Sequence, residues 1–209
     1  MKAIASFLKY RPKKEFIIKS GLPWLQLDID VPARDIFSEF IKIEDQLVLH
    51  REQDKFGSLT HNGWKSATLY GVSTTQTTDS NKLHTWTDLA NSCPITVNWI
   101  KENFIINEKT GRIRFMFLPP GGYILPHKDR DSTKLSEINI AITNPKGCVF
   151  RFLDRGTIPF ASGTGFIIDT SNKHMVFNNS QEPRLHMILH TEISNEIIER
   201  SYEKCYYST

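Results

Sequence analysis

The sequence predicts a mainly β protein of jelly-roll type with helices flanking its N-terminal side, and three features predict it. From Gly111 onward short apolar strands recur at regular intervals, each is bounded by Gly, Pro, Asn, Asp or Ser, and most alternate between two faces. The earlier part of the chain is mixed, with two helical stretches around a strand region. No repeat, low-complexity tract or Pro/Gly/Ser linker divides the 209 residues, a length that supports one generous core. Residues 1–209 are therefore read as one domain, with about 1–110 as helical and mixed support and about 111–192 as the barrel core.

In chain order, VPARDIFSEFIKI places Pro32 near a helix start, Asp35 in the first turn, and Ile36, Phe37, Phe40 and Ile41 on one face, which predicts a helix from Pro32 to about Leu47. THNGWKSATLYGV reads as a strand or two with glycine-marked turns. SCPITVNWIKENF predicts a second helix, with Ser92 as its cap, Pro94 in its first turn, and Ile95 and Trp99 four apart. The strands that follow are RIRFMFL, GYILPH, EINIAIT, CVFRFL, GTGFIIDT, HMVFN and RLHMILH. Gly121 and Gly122 mark a turn rather than a phosphate cradle, because no helix start follows them. ISNEIIERSYEKCYY is read as a short capping helix.

Bulk composition excludes more than it assigns. A net charge of +3, with 39% hydrophobic and 23% charged residues, gives no basis for a nucleic-acid or membrane partner. Three cysteines without a CxxC pair fit a reducing compartment. The N-terminal AIASFL holds about six apolar residues, short of a secretory core, and no run approaches the roughly 18 of a membrane span. A cytoplasmic protein is expected, with oligomeric state open.

The chemistry is concentrated in PPGGYILPHKDRD. In an extended backbone His127 and Asp129 project from one face and Lys128 from the other, which is half of a metal site. Downstream, GTGFIIDTSNKHMVFNNSQEPRLHMILH supplies a strand, a turn rich in Asp, Ser and Asn, His174 at the next strand's start, and Arg184 ten residues later. A jelly roll makes sequence-distant strands neighbours and so can bring His174 to the pair. Two neutral imidazoles and one carboxylate with the opposite positions open form the facial triad of non-haem Fe(II) oxygenases. Fe(II) with one aspartate leaves about +1, enough for one end of a dicarboxylate, and a guanidinium at Arg184 suits the other end in a bidentate pair. Arg184 shares a strand face with His186 and Ile188, and a buried arginine without an anion is costly.

These residues resemble a known family. From Gly63 to His190, the landmarks GWKSATLYG, SCPITVNWI, RFMFLPPGGYILPHKDRD, GTGFIIDTSNKHMVFNNS and PRL are similar in order to the aspartyl/asparaginyl/proline β-hydroxylase group of Fe(II)- and 2-oxoglutarate-dependent dioxygenases. The resemblance implies a double-stranded β-helix of cupin-like form, iron held by His127, Asp129 and His174, and Arg184 on the distal carboxylate of 2-oxoglutarate. It further implies that O2 is consumed, that succinate and CO2 are co-products, and that an unactivated C–H of an amino acid, a peptide or protein side chain, or a related small metabolite is hydroxylated. Vertebrate aspartyl hydroxylases of this group lack the aspartate that stands here as Asp129, so the chain lies nearer the bacterial proline hydroxylase type. Asp129 also speaks against a halogenase, which needs room for chloride at that place. Ser136 falls near where the aspartyl hydroxylases carry a second arginine on 2-oxoglutarate, which speaks against a protein-aspartyl substrate.

Further contacts with substrate or co-substrate are sought among Arg112, Arg114, Asn139, Ser136, His186 and Trp64. Arg112 and Arg114 share one strand face and reach either a substrate carboxylate or solvent. Asn139 shares a face with Glu137 and Ala141, lining the pocket or an outer polar face. His186 and His190 read as core histidines before substrate contacts, and Trp64 and Trp86 as core or entrance wall. Asp169 is a turn-maker that positions His174. His50, His61 and His84 have no supporting company. The rival function is a non-catalytic cupin-like barrel that binds metal as a sensor or binding module. A hydrolytic zinc site ranks below it, since the sequence supplies no general base for one.

Overall fold

The computed structural model describes residues 22–50, 61–72, 83–129 and 137–207. Its strands are β1 (Trp24–Gln26), β2 (Val48–Leu49), β3 (His61–Asn62), β4 (Lys65–Gly71), β5 (Thr85–Trp86), β6 (Phe104–Ile105), β7 (Arg112–Leu118), β8 (Tyr123–His127), β9 (Glu137–Thr143), β10 (Cys148–Phe152), β11 (Gly156–Thr157), β12 (Gly165–Ile168), β13 (His174–Asn178), β14 (Arg184–His190) and β15 (Glu192–Ile193). The helices are α1 (Ala33–Phe40), α2 (Pro94–Asn103) and α3 (Asn195–Tyr207). The seven strands expected after Gly111 are β7 to β10 and β12 to β14, and α3 is the expected capping helix.

Two antiparallel sheets face each other. The larger runs β1-β12-β9-β14-β7-β4-β2 with β5 beside β4; the smaller runs β11-β10-β13-β8-β3; β15 and β6 form a separate pair. β14 lies between β7 and β9, and β13 between β8 and β10, so each sheet interleaves strands far apart in sequence: this is the double-stranded β-helix. β1, β2, β4 and β5 extend the larger sheet from the N-terminal part of the chain, which thus supplies strands as well as helices.

Strand alternation sorts the larger sheet into two chemistries. Ile113, Phe115, Ile138, Ile140, Leu185, Met187 and Leu189 form one face and pack under the helices with Ile36, Phe40, Ile100 and Ile197. The other face carries Ser66, Thr68, Arg114, Asn139, Arg184 and His186, all buried, toward the smaller sheet. A second apolar cluster, with Leu118, Ile124, Phe150, Phe152, Phe166 and Val176 among its members, fills part of the space between the sheets. The turn into β8 is Pro119 to Gly122, where Gly122 N–H donates to the Pro119 carbonyl at 2.9 Å and Gly121 takes φ +72°. That is a type II turn, whose third position demands a residue tolerant of positive φ.

Two helix expectations need correction. The stretch from Pro32 to Leu47 is α-helical only to Phe40 and tightens into a 3-10 turn over Ile41–Gln46; Ile41 is 50% exposed and Ile43, at 2%, takes its place on the buried face. Ser92 does not cap α2 but sits in its own 3-10 turn, Asp88–Ser92. The cap comes from α1, which packs across the end of α2: the buried Glu39 carboxylate accepts from Ile95 N–H at 2.7 Å, Thr96 N–H at 2.8 Å and Thr96 Oγ1 at 2.7 Å. A carboxylate satisfies more orphan donors than a serine hydroxyl and its charge complements the helix N-terminus. No helix among the described residues is long and apolar enough to cross a membrane.

Glu39→Ala leaves those donors buried without an acceptor and removes the charge, so it should cost about 3 kcal/mol of unfolding free energy, read by urea denaturation. A loss below about 0.5 kcal/mol would show that the cap holds nothing together.

Candidate metal centre

β8 and β13 pair antiparallel with His127 and His174 as direct Cα partners, so the sheet itself sets the two imidazoles side by side. Their ring centroids are 4.3 Å apart. Asp129 follows two residues after His127; its Oδ1 lies 3.7 Å from His127 Nε2 and its Oδ2 3.6 Å from His174 Nε2. One potential ligand atom from each of the three lies within 4.8 Å of the other two. Lys128 is exposed on the opposite side.

The second nitrogen of each ring decides which atom faces inward. His127 Nδ1 donates to the Leu125 carbonyl at 2.8 Å and His174 Nδ1 to the Asn172 carbonyl at 2.9 Å. Carbonyls only accept, so in both neutral rings the proton sits on Nδ1 and the Nε2 lone pair points toward Asp129. The turn before β13 does most of the placement. Asp169 accepts from Ser171 N–H at 3.1 Å and from Ser171 Oγ at 2.5 Å, the Thr170 carbonyl accepts from Asp129 N–H at 3.1 Å, and the Asn172 carbonyl orients His174. His174 is buried, its ring stacked on Phe150 with centroids 5.2 Å apart. Burial, with the neighbouring His127 adding to it and the Asn172 carbonyl and Asp129 opposing it, holds its pKa below the usual imidazole range.

Arg184 opens β14 and is 4% exposed, yet it reaches the same cleft as the triad. Burial pulls its pKa down to about 10, which leaves it charged at neutral pH. Its Nη2 donates to His186 Nδ1 at 2.8 Å. The tautomer follows from the far side of that ring: Asn144 Nδ2 donates to the Phe160 carbonyl at 3.0 Å, which turns Asn144 Oδ1 to His186 Nε2 at 3.2 Å. Nε2 therefore carries the proton and Nδ1 the lone pair that Arg184 uses. Asn139 Oδ1 is placed 2.6 Å from Nδ1, and in this tautomer the amide must be turned so that its nitrogen faces the ring instead. Burial first, then the Arg184 charge, push the His186 pKa well below its ordinary value.

The cleft opens to solvent. Of the residues singled out in the sequence, His127, Asp129, His174, Arg184, Arg114, Asn139 and Trp64 line it. Arg112 does not; it shares the face of Arg114 but lies at the end of β7, opposite His190. His186 stands behind Arg184 instead of on the cleft wall, and Ser136 falls outside the described residues. Sequence reasoning missed His50, which is buried with its ring centroid 4.0 Å from that of Trp64 and its Nδ1 2.9 Å from Ser66 Oγ, and it gave no role to Glu137; both line the cleft. Strand alternation through Asn139 was the signal available for Glu137; His50 carried none in its own stretch of sequence.

A double-stranded β-helix with two imidazoles on neighbouring strands, a carboxylate just beyond one of them and a buried arginine on the same cleft is the arrangement expected of a non-haem metal oxygenase. The family model described as aspartyl/asparaginyl beta-hydroxylase matches residues 33–193, and the chain belongs to that family, an oxidoreductase of the dioxygenase kind. Among solved structures it is similar to a Pseudomonas putida prolyl-4-hydroxylase, with TM-score 0.52 and 14% identity over 89% of this chain and 100% of that one. A 2OG-Fe(II) oxygenase family oxidoreductase from Burkholderia pseudomallei has TM-score 0.47 and 12% identity over 76% of this chain and 79% of its own. A viral collagen prolyl hydroxylase from Paramecium Bursaria Chlorella virus-1, in complex with 2OG, has TM-score 0.47 and 11% identity over 83% and 98%. No curated protein matches the sequence significantly.

His186 resists protonation in the folded chain, whereas the unfolded imidazole takes a proton near pH 6.5. Its stabilising contribution is present above pH 6.5 and is lost as pH falls below it, at up to about 1.4 kcal/mol per pH unit. His174 acts in the same direction in metal-free protein. Unfolding free energy of the metal-free chain should therefore decline from pH 6.5 to 5, and His186→Met should flatten the decline; an unchanged slope in that variant contradicts the buried neutral ring.

Proposed function

We propose that the protein is an Fe(II)- and 2-oxoglutarate-dependent hydroxylase of an amino acid, peptide or related small molecule, with His127, Asp129 and His174 holding the metal and Arg184 the far carboxylate of the co-substrate. The observation that carries this is the convergence of two Nε2 lone pairs, fixed by backbone carbonyls, on one carboxylate. That donor set fits the metal: two neutral nitrogens and one oxygen anion suit Fe(II) and leave the remaining positions for other ligands.

The buried guanidinium argues for the co-substrate. Among the described residues no carboxylate pairs with Arg184, and an uncompensated buried cation costs several kcal/mol. A carboxylate entering the cleft removes that cost, and the planar fork of Arg184, with Nη2 held by His186, is oriented to receive it. Iron bound by the triad would supply reductive activation of O2, coupled to decarboxylation of 2-oxoglutarate to succinate. The chain's own part is placement. Phe150, Ile124, Val176 and Ile188 give the cleft apolar walls, which limit water near the reacting centre. The cleft is open at its rim, so a substrate C–H can approach the metal side while the co-substrate lies toward Arg184.

Purified protein with Fe(II), 2-oxoglutarate and O2 should form succinate, lose that activity with a chelator, and recover it with Fe(II) but not Zn(II). Asp129→Ala and His174→Ala should each reduce succinate formation at least about 100-fold, and full turnover in either removes the assignment. Arg184→Met should raise KM for 2-oxoglutarate roughly 100-fold, matching about 3 kcal/mol for a buried charge pair, with a smaller change in kcat. An unaltered KM would place the co-substrate elsewhere.

A further inference from the structure

Thr143 ends β9 and Asn144 follows it, and neither lines the cleft. Their hydrogen bonds nevertheless converge on Arg184, one from the backbone side and one from the guanidinium side. β9 carries an extra residue here: Leu185 pairs with Thr143 but His186 with Ala141, so Ile142 has no counterpart on β14. Beyond that bulge the Thr143 side chain ties down the start of β14. Its Oγ1 donates to the Pro183 carbonyl at 3.0 Å and accepts from Leu185 N–H at 2.8 Å. Those residues flank Arg184, so one hydroxyl clamps the chain on both sides of it.

Asn144 acts on the guanidinium through His186. Its Oδ1 accepts from His186 Nε2 at 3.2 Å, while Arg184 Nη2 donates to the opposite ring nitrogen at 2.8 Å. Asn144 is itself anchored, its backbone N–H donating to Ser162 Oγ at 3.2 Å and its Nδ2 to the Phe160 carbonyl at 3.0 Å. The Phe160 ring packs near a right angle to the imidazole, with centroids 4.7 Å apart. His186 is fully buried, and a buried Nε2–H without an acceptor is costly. With Asn144 Oδ1 removed, the ring relieves that cost by turning over, or by carrying its proton on Nδ1 with Asn139 presenting its oxygen. Either change takes the lone pair away from Arg184.

We infer that Thr143 and Asn144 are positioning residues for the co-substrate, together holding the backbone and the guanidinium of Arg184 in the orientation that receives its far carboxylate; this rests on the functional reading above. Their effect is on what binding costs rather than on contact with the ligand. A long side chain that must be ordered as the ligand arrives loses on the order of tenfold in affinity, and one ordered beforehand does not. The effect is confined to that end of the cleft. His127 and His174 belong to the smaller sheet and Asp129 follows His127, so loosening Arg184 on the larger sheet leaves metal affinity as it is.

The test measures binding. Native and variant chains loaded with Mn(II) are titrated calorimetrically with 2-oxoglutarate and with 2-oxopentanoate, which keeps the chain length but lacks the far carboxylate. Thr143→Val and Asn144→Leu should each weaken 2-oxoglutarate roughly tenfold and leave 2-oxopentanoate within about twofold of native. Thr143→Ser keeps the hydroxyl and should bind 2-oxoglutarate as the native chain does. In an Arg184→Met background neither substitution should weaken 2-oxoglutarate further. The nitrogen NMR spectrum of the native protein needs no variant to fold: His186, assigned by its disappearance in His186→Met, should show the proton on Nε2 and the lone pair on Nδ1. A proton on Nδ1 overturns the proposal, and so does a 2-oxoglutarate affinity within about twofold of native in Thr143→Val or Asn144→Leu, or an equal loss for the two oxoacids. Native affinity for 2-oxoglutarate in Arg184→Met itself instead brings down the functional reading on which the proposal stands.

Discussion

His127 and His174 stand opposite each other in an antiparallel ladder, and that register is the constraint on which the rest of the site depends. Side chains alternate with period two along a strand, so sliding β13 past β8 by one residue turns His174 out of the cleft and brings a neighbour into its place. What prevents the slip is apolar. Val176 and Ile124 face the second core, and the same shift would expose them while burying Met175 and its half-exposed neighbours. The two histidines are thus held by the hydrophobic sorting of the strands that carry them, with the carbonyls of Leu125 and Asn172 fixing only the final rotation of each ring.

The opposite wall follows a different logic. A sheet face that carries Thr68, Arg114, Asn139, His186 and Arg184 in buried positions is costly unless its polar groups find partners. Part of the compensation is internal: the Arg184–His186–Asn144–Phe160 chain satisfies donors and acceptors in sequence and fixes one tautomer. The positive charge at Arg184 is not compensated in that chain, because the other members are neutral. In the proposed function that cost is relieved by the anion that Arg184 would bind.

Much of this was legible in the sequence. Seven strands after Gly111 announced themselves by period-two alternation between turn residues, and His127, Asp129 and His174 were recognisable by position at strand ends. The turn at Asp169 and the pairing of glycines at Gly121 and Gly122 were readable from local chemistry for the same reason: each depends on residues adjacent in the chain. What escaped were interactions between elements. Glu39 caps a helix more than fifty positions away, so a local search fixed on Ser92 instead. His50 has no chemical context in its own stretch of sequence and acquires one only when β4 brings Trp64 and Ser66 beside it. The distinction between Arg112 and Arg114, identical in type and face, is set by how far each lies along β7 from the cleft.

The turn that seats Asp129 works through the backbone carbonyl of Thr170, a residue that lines the cleft and whose side chain takes no part in that bond. Side-chain chemistry at position 170 is therefore decoupled from the anchoring. A cysteine there offers an attachment point for a fluorophore or spin label at the cleft, and a bulkier or charged replacement offers a way to reshape what enters it while Asp129 keeps its seat.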